Sequence, residues 1–503
     1  MSSGFDVSRV VIFLPAIGAL VVLALDLFAR PRPASESPHR ADALAGIRVG
    51  SVAGLVLFGV LIALRTDDAA DIDPSALFQL DAFAVFGILF ITLAGILVLS
   101  LSLTHFGMAR SRPSAPVALL LFSLSGMAAA IASKNLLVLM IAVELTWLPL
   151  IALIAIDSHR LSSSESSLKA FFAHAFASVV FAHGVAFVFG ATGRFELLAL
   201  GDPEASRVLL WQVGVSLVVA GLIARSVIAP FHPWFPDVHE GAPSFVTAHI
   251  ATAAQATTFL VLLRILCALF PVADEEPLSM ISDRFTSLLA VLGCLGLLWG
   301  HAMALVQVGL RRLLGWLGVG QCGFFALALV EARQTGGEAL LLGLVAAAVS
   351  TTGVLAVLSS LSHHERACEH LGDLSGMTKR SPVRAGLLAL FLLSLGGFPG
   401  TIGFLARMEI LGAVEHAGHR GLLLAGLGAT VLSLTAVGRP LLAMLRPTET
   451  TRVSSRALTN EQFVLVLCGA GVLYFGFAPV VGPGDLAGWL AGWINTAVVS
   501  IQR

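Results

Sequence analysis

Apolar segments about 20 residues long recur along almost the whole of this 503-residue chain. A helix of about 20 apolar residues spans the hydrocarbon core of a bilayer, so each segment predicts one transmembrane helix. Charged residues make up only 12% of the chain, whereas a soluble domain carries roughly 25%. This leaves too little polar surface for a chain of this length to face water. The sequence therefore predicts an all-α polytopic membrane protein.

About fourteen transmembrane helices are predicted, with short loops between them and no soluble domain. The first apolar run is interpreted as a helix and not as a cleaved signal, because no small-residue cleavage site follows it. The predicted spans lie near residues 8–29, 46–65, 82–104, 115–132, 135–156, 168–190, 207–229, 244–270, 286–306, 312–331, 338–361, 383–411, 420–444 and 460–481.

Lysine and arginine are distributed unevenly between the predicted loops. Most of them lie in the odd-numbered loops, for example Arg110, Arg112, Arg311 and Arg312. Cytoplasmic loops of membrane proteins are enriched in these residues, so the odd-numbered loops are predicted to face the cytoplasm. An even number of spans then places both termini on the outer, periplasmic side of a bacterial inner membrane.

Two of the predicted spans are interrupted by proline and glycine. Residues 230–243 read PFHPWFPDVHEGAP, and residues 394–403 read SLGGFPGTIG. Such breaks leave backbone groups that hydrocarbon cannot satisfy, so they are expected where protein or a water-filled cavity meets them. Discontinuous helices at corresponding places of two halves indicate an ion pathway.

The spacing of the two breaks fits two related five-helix units, which we interpret as inverted repeats within a single membrane domain, residues 1–503. On this interpretation residues 1–110 form the N-terminal helices and residues 115–270 the first repeat. Residues 286–415 form the second repeat, and residues 420–503 form the C-terminal helices. The repeat is inferred from the pattern of breaks, because residue-level repetition is not evident.

Glu144 lies in the middle of an apolar span, in the segment LLVLMIAVELTWLPLIALIA. An ionisable group at this depth costs several kcal/mol unless it is paired, so it is either functional or bonded to a neighbouring helix. Arg225 directly precedes the first break and is the predicted partner of Glu144. An arginine keeps its proton in a protein, whereas a buried lysine can lose it.

Lys169 and several histidines are further candidates for proton transfer. Lys169 begins the sixth span, where it either extends to the cytoplasmic interface or hands protons inward. His174 and His183 follow on the same helix, and His232 and His249 flank the first break. Imidazole exchanges protons near neutral pH, although each of these histidines alone also fits a hydrogen-bonded core residue.

Three polar positions complete the set of candidates that the residues themselves indicate. Gln255 is the strongly polar side chain at the centre of its span, where it can bond water but cannot carry a proton charge. Arg407 follows the second break, with Glu409 two residues later. Asp81 starts the third span and is predicted to cap it.

Several function classes find no support in the sequence. The net charge of −1 gives no case for a nucleic-acid partner. The five cysteines form no CxxC pair, so we predict no disulfide framework, iron–sulfur site or haem attachment on this chain. No Rossmann-type motif indicates a nucleotide site.

At the first break the sequence resembles the signature of proton-conducting, antiporter-like membrane subunits of respiratory complex I, in which a basic residue precedes PxHxWxPDxxxxAP. The form PDVHEGAP looks most like subunit N of NADH-quinone oxidoreductase. The resemblance covers roughly residues 75–415. Its motifs here are LFQLDAFAVF, VELTWLPLIALIA, SSLKAFFAHAFAS, ARSVIAPFHPWFPDVHEGAPS, RRLLGWLGVGQCGF and RSPVRAGLLALFLLSLGGFPGTIGFLARM.

The resemblance implies that quinone reduction elsewhere in a complex drives protons through this chain. NADH, FMN, iron–sulfur clusters and quinone would be held by other parts of the complex, and the partners would be other membrane subunits, lipid, protons and internal water. A polar axis of the family would then map onto this sequence. Its members would be Glu144, Lys169, Arg225, His232, Gln255, Gln321 and Arg407.

Three of these positions depart from the family pattern. Arg225, Gln255 and Arg407 stand where the family has lysine. Water lined by Gln321 and Thr252, with His249 or His174, would have to replace the missing central carrier. The alternatives are a structural complex I subunit that does not pump, or a subunit of a related antiporter, hydrogenase or inorganic-carbon uptake complex.

Overall fold

The structure is a computed structural model that describes most of the chain, and it is almost entirely helical. Within the described part, eleven helices are long and apolar enough to cross a membrane, and four shorter apolar helices accompany them. The predicted all-α membrane fold is therefore confirmed. The described residues are 7–27, 50–61, 77–109, 113–157, 159–200, 207–269, 278–332, 335–361, 370–447, 459–481 and 485–502. Arg110 and Arg112, which contributed to the predicted orientation, lie outside these ranges.

The first half of the chain runs from α1 to α10. A π-helical turn, Ile250–Ala254, connects α9 to α10, so these form one long helix with a widened turn inside it. The helices are α1 Val7–Leu27, α2 Gly50–Leu61, α3 Ala82–Ala109, α4 Ser114–Ala132, α5 Leu136–Ile154, α6 Leu161–Thr192, α7 Val208–Arg225, α8 Trp234–Gly241, α9 Ser244–His249 and α10 Gln255–Leu269.

The described residues of the second half form nine further α-helices, of which α14 is a single turn. They are α11 Leu278–Val306, α12 Leu310–Ala328, α13 Thr335–Leu361, α14 Met377–Arg380, α15 Pro382–Gly396, α16 Ile402–His416, α17 Arg420–Leu445, α18 Thr459–Val481 and α19 Asp485–Gln502. Helices α6 and α11 begin several residues before the predicted spans, because apolarity marks the membrane and not the helix itself.

The first break is shorter than the sequence indicated. Helix α7 ends at Arg225, and most of the segment predicted to be unwound, residues 230–243, forms helix α8. Its prolines are compatible with a helix, because Pro233 is the N-cap and Pro236 lies in the first turn. Backbone N–H groups in that turn have no partner within the helix, so proline costs little there.

The second break agrees closely with the prediction. Helix α15 ends at Gly396, and α16 begins at Ile402. Gly397 and Gly400 both adopt positive φ angles, 78° and 86°, which side chains other than glycine rarely tolerate. The predicted span 383–411 is therefore two half-helices, joined by a turn that depends on glycine.

Helix α19 was not among the predicted spans. Its contacts lie along one side of the molecule, since the Trp493 ring packs on Phe86 near the start of α3. Its Asn495 donates a hydrogen bond of 2.7 Å to Glu338 in the first turn of α13. The Ser500 hydroxyl accepts one of 3.0 Å from the N–H of Phe83. Helix α19 therefore lies across the first turns of α3 and α13.

The most deeply buried helices lie where the two halves meet. In the apolar windows of the α9–α10 helix and of α12, 89% of residues are buried, compared with 33% in α6 and 28% in α17. The outer helices expose apolar side chains such as Phe172, Leu424 and Val431, as expected of surfaces that face lipid or other membrane proteins. Polar residues on α10 and α12 are therefore at the centre of the protein.

Candidate functional site

Glu144 and Arg225 form the ion pair that the sequence predicted. The Nη2 atom of Arg225 lies 2.5 Å from Oε1 of Glu144, across 81 residues of sequence. Nη2 also donates to the Ser178 hydroxyl at 2.8 Å, and that hydroxyl donates to Glu144 at 2.5 Å. The two charges and the hydroxyl thus form a closed triangle between α5, α6 and α7.

The positions of these residues on their helices explain the arrangement. Glu144 is near the middle of α5, whose N-terminus is capped by the Asn135 side chain. Arg225 is the last residue of α7, where the partial negative charge of the helix C-terminus favours a cation. Arg225 is fully buried, whereas the side chain of Glu144 retains 34% exposure in the single chain.

Lys169 does not contact the Glu144–Arg225 pair. It lies at the end of the helix bundle, beside α8. Its Nζ is 2.6 Å from Glu165 and 2.7 Å from Asp237, and its side chain is 45% exposed. Asp237 also faces Arg312 of α12 at 3.4 Å. This exposed network connects α6, α8 and α12, and it agrees with the interfacial interpretation of Lys169.

The candidate histidines occupy separate surroundings. His174 is buried between the rings of Trp147 and Trp234, with centroid distances of 3.7 and 4.8 Å. His232 lies in the first break, 5.3 Å from the ring of Trp316. His249 is fully buried and lines a small cavity that is otherwise bounded by apolar residues of α2, α3 and α4. The structure thus does not bring His249 together with Gln255 and Gln321.

A cavity of about 30 Å³ at the centre of the protein is lined by residues of α8, the α9–α10 helix, α12, α13 and α15. This volume has room for more than one water molecule. Gln255, Gln321, Thr252 and Thr351 provide polar groups in its wall. Neither the amide nitrogen nor the amide oxygen of Gln255 has a hydrogen-bond partner among the described residues, although the residue is only 2% exposed. Water is the natural partner for such groups.

The wall of the same cavity includes His239 of α8 and Leu395, which lies in the last turn of α15 before the second break. The carbonyl of Leu395 accepts a hydrogen bond of 2.5 Å from Nη2 of Arg407. The arginine of the second break is therefore adjacent to the wall of the cavity.

Among the described residues, Arg407 is held by backbone carbonyls and a hydroxyl and has no carboxylate partner. Its Nη1 donates to Gly396 at 2.7 Å, and its Nη2 donates to Leu395 and, at 3.1 Å, to the Ser433 hydroxyl. Its guanidinium carbon also lies 4.8 Å from the centre of the Phe324 ring. Since Leu395 and Gly396 are the last residues of α15, Arg407 caps the negative end of that half-helix.

Sequence reasoning missed several polar residues of the site. Ser178 is one, and it lies one turn after His174 in a run of otherwise small and apolar residues. His301 of α11 is another: it is fully buried, and its ring packs so closely on Gly320 that a Cβ there would be 2.3 Å from it. Its position inside an apolar span was the available signal.

A second ion pair, Asp81–Arg264, was not predicted, although the capping role of Asp81 was. Asp81 caps α3 as expected, because Oδ1 accepts a hydrogen bond of 2.7 Å from the N–H of Ala84. Arg264 of α10, which the sequence did not single out, contacts both carboxylate oxygens of Asp81 at 2.6 and 2.7 Å. This pair connects α3 to the far end of the helix that carries Gln255.

Residues 133–433 match the model of a protein family, Proton_antipo_M, which is described as "NADH:quinone oxidoreductase/Mrp antiporter, TM". The matched range includes Glu144, Arg225 and Arg407 and covers more than half of the chain. The chain belongs to this family. A NADH-quinone oxidoreductase subunit N from Syntrophotalea carbinolica is 33% identical over 368 residues, which cover 72% of this chain and 76% of that protein.

Two solved structures contain chains with the same fold. A chain of respiratory complex I from Thermus thermophilus superposes with a TM-score of 0.74 and 25% identity, covering 94% of this chain and 98% of that chain. A chain of an archaeal membrane-bound sulfane sulfur reductase gives a TM-score of 0.83 at 21% identity, covering 99% and 98%. The second likeness shows the fold alone. The resemblance inferred from the sequence motifs is therefore confirmed, and the fold is shared with other respiratory membrane complexes.

Proposed function

We propose that this chain is a proton-translocating membrane subunit of an NADH-quinone oxidoreductase, which couples electron transfer from NADH to quinone to proton movement. The observation that carries the proposal is the Glu144–Arg225 pair at the end of a broken helix, in a member of the antiporter-like family. Its relative from Syntrophotalea carbinolica is a subunit N of such an enzyme. Other membrane subunits of the complex are its partners.

In this proposal the proton path passes through water at the centre of the protein. Glu144 gains and loses a proton while Arg225 stays charged, so protonation of Glu144 leaves an uncompensated cation at the first break. Water in the central cavity, bound by Gln255 and Gln321, leads towards Arg407. His232 and Lys169 lie on the α8 side of this route, and His249 faces apolar residues away from it.

The proposal also covers where the chain lies in the cell and which cofactors the other subunits of the complex would bind. The chain would lie in the bacterial inner membrane with both termini on the periplasmic side, which the distribution of Lys and Arg supports. The contacts of α19 with the first turns of α3 and α13 support counting it apart from the membrane crossings. NADH, FMN, iron–sulfur clusters and quinone would be bound by other subunits, which the absence of cofactor motifs in the sequence supports.

The proposal is tested by measuring protons moved per electron pair in the reconstituted complex carrying Glu144→Gln. We expect the ratio to fall while electron transfer in the presence of an uncoupler continues. An unchanged ratio in a fully assembled complex would show that this subunit does not pump. Glu409→Gln is a control, because that carboxyl lies near the second break and outside the Glu144–Arg225 triangle.

One observation favours a second candidate, a structural subunit that does not pump. Arg407 is fixed by two backbone carbonyls, and the central amide Gln255 cannot carry a proton charge. Gln255→Lys separates the candidates further, since a rise in protons per electron pair would show that the central relay is interrupted in this chain. A related antiporter, hydrogenase or inorganic-carbon complex would instead be recognised from the neighbouring genes.

A further inference from the structure

The guanidinium group of Arg225 is only partly satisfied by the protein. It has five N–H donors, and the contacts with Glu144 and Ser178 both involve Nη2. Nε and Nη1 are buried and have no hydrogen-bond partner among the described residues. A buried charged group without an acceptor is unfavourable, so these donors indicate a missing partner.

A second, separate cavity lies beside Arg225. It has a volume of about 10 Å³ and is bounded by α5, α7 and α10. This is the size of one water molecule and too small for a larger ligand. Its lining includes Arg225, the indole of Trp147 and the three threonines Thr146, Thr257 and Thr258.

The threonines can accept hydrogen bonds but have no free donor. Each hydroxyl donates to a carbonyl one turn earlier, to Ala142 at 3.0 Å, to Ala253 at 2.8 Å and to Ala254 at 3.1 Å, respectively. Their oxygen lone pairs therefore remain as acceptors. Arg225 contributes only donors to the same cavity. Water can join such groups, because it accepts from the guanidinium and donates to two hydroxyl oxygens.

We propose that one ordered water molecule occupies this cavity and bridges Arg225 of α7 to Thr257 or Thr258 of α10. The site excludes a metal ion because the positive guanidinium faces it. The water connects Arg225, the last residue of α7, to α10. Helix α10 also carries Gln255, which lies two residues before Thr257. This inference rests on the proposed function in one respect, because the water is the first step from the Glu144–Arg225 pair towards the central cavity.

The site itself is tested by an electron cryo-microscopy map of the assembled wild-type complex at a resolution that shows internal water. We expect a density peak at hydrogen-bond distance, about 2.7–3.2 Å, from Nε or Nη1 of Arg225 and from at least one threonine oxygen. A map that shows other buried waters but none here would overturn the proposal. So would a side chain of another subunit that bonds to Nε and Nη1.

The role of the water is tested with the isosteric double variant Thr257→Val/Thr258→Val in the whole complex. We expect loss of the density peak and fewer protons moved per electron pair, in the same direction as Glu144→Gln and by a smaller amount. Thr430→Val is a matched control, because Thr430 also donates to a carbonyl one turn earlier but lies on α17. Retention of both the peak and the ratio in the double variant would overturn the proposal.

If the double variant does not assemble, the single variants Thr257→Val and Thr258→Val are measured instead. The wild-type map shows independently of all variants whether the cavity holds a water molecule. Failure of the proposed function is recognised separately. If Glu144→Gln leaves the ratio unchanged, the chain does not pump, whether or not the water is present.

Discussion

A buried arginine lies beside each helix break of this protein, Arg225 at the end of α7 and Arg407 in α16, but the two are held in different ways. Arg225 bonds a carboxylate and a hydroxyl through one nitrogen, its Nε and Nη1 have no partner among the described residues, and the residue lines a small cavity. Arg407 uses two nitrogens to bond the last carbonyls of α15 and a hydroxyl of α17. The first cation thus has a partner whose charge can change, whereas the second is bound to dipoles that cannot.

This difference assigns different physical roles to the two breaks. Protonation of Glu144 would remove the charge that balances Arg225, so the first break can respond electrostatically to a single proton. No such change is available to the backbone carbonyls around Arg407. A fixed guanidinium there maintains the geometry of the turn between α15 and α16 and supplies a constant positive potential beside the central cavity.

The sharpest test of the comparison replaces each arginine by lysine. We expect Arg225→Lys to preserve assembly, because one ammonium group can take the place of Nη2 beside Glu144. Arg407→Lys should be destabilising, since one ammonium nitrogen cannot occupy the positions of both Nη1 and Nη2, and one carbonyl then loses its donor. At roughly 1–3 kcal/mol for an acceptor left without a donor, we expect a loss of roughly 1–3 kcal/mol. Thermal unfolding of the purified complexes measures both effects, and equal losses would contradict the distinction.

A smaller effect is expected at the glycine turn next to Arg407. Gly397 has a φ of 78°, and a Cβ there would lie 2.7 Å from Cδ of Arg407. Gly397→Ala should therefore cost roughly 1–2 kcal/mol through its left-handed conformation, with displacement of Arg407 in addition. Gly386→Ala on α15 is the control, because a Cβ at that position meets no atom within 4 Å. The melting temperatures of the two variants are compared, and we expect the lower value for Gly397→Ala. Equal melting temperatures would show that the turn does not require glycine.

The hydroxyl groups beside the two arginines offer a third comparison. Ser178→Ala removes a bond to each member of the Glu144–Arg225 pair, so we expect a loss of about 1 kcal/mol together with altered proton movement. Ser433→Ala removes one bond of 3.1 Å to Arg407 while both carbonyl contacts remain. We expect it to affect stability only slightly and proton movement not at all. Protons moved per electron pair in the two variants measure this, and a reversed order would refute it.

The smallest effect on stability is expected at Lys169. Its ion pairs with Glu165 and Asp237 are exposed to solvent, and such pairs contribute little to the free energy of unfolding. Lys169→Gln should therefore leave the melting temperature nearly unchanged, and any difference should shrink at high salt. Proton movement in the same variant distinguishes the two interpretations of this residue. A clear fall in protons per electron pair would show that Lys169 takes part in proton entry.

The depth of each residue in the membrane could be predicted from the sequence, whereas most of the contacts could not. The order of the spans, the second break and the placement of Glu144 and Arg225 at membrane depth follow from local composition. Their pairing could be anticipated because few other charges lie at that depth. The bridging position of Ser178, the pocket of His301 beside Gly320 and the course of α19 depend on contacts between distant segments, for which local sequence carries no signal.

Hydrophobic length and glycine or proline at the breaks determined by themselves that this chain is a multi-span membrane protein with two discontinuous helices, because hydrocarbon accepts only continuous helices unless protein or water meets the interruption. The tertiary structure alone decided how the buried charges are compensated. In the folded protein Glu144 contacts one nitrogen of Arg225, and Arg407 bonds the last two carbonyls of α15. His249 lines a different cavity from the central one. Compensation of a buried charge depends on atoms a few ångströms away, and here those atoms belong to helices that are far apart in sequence.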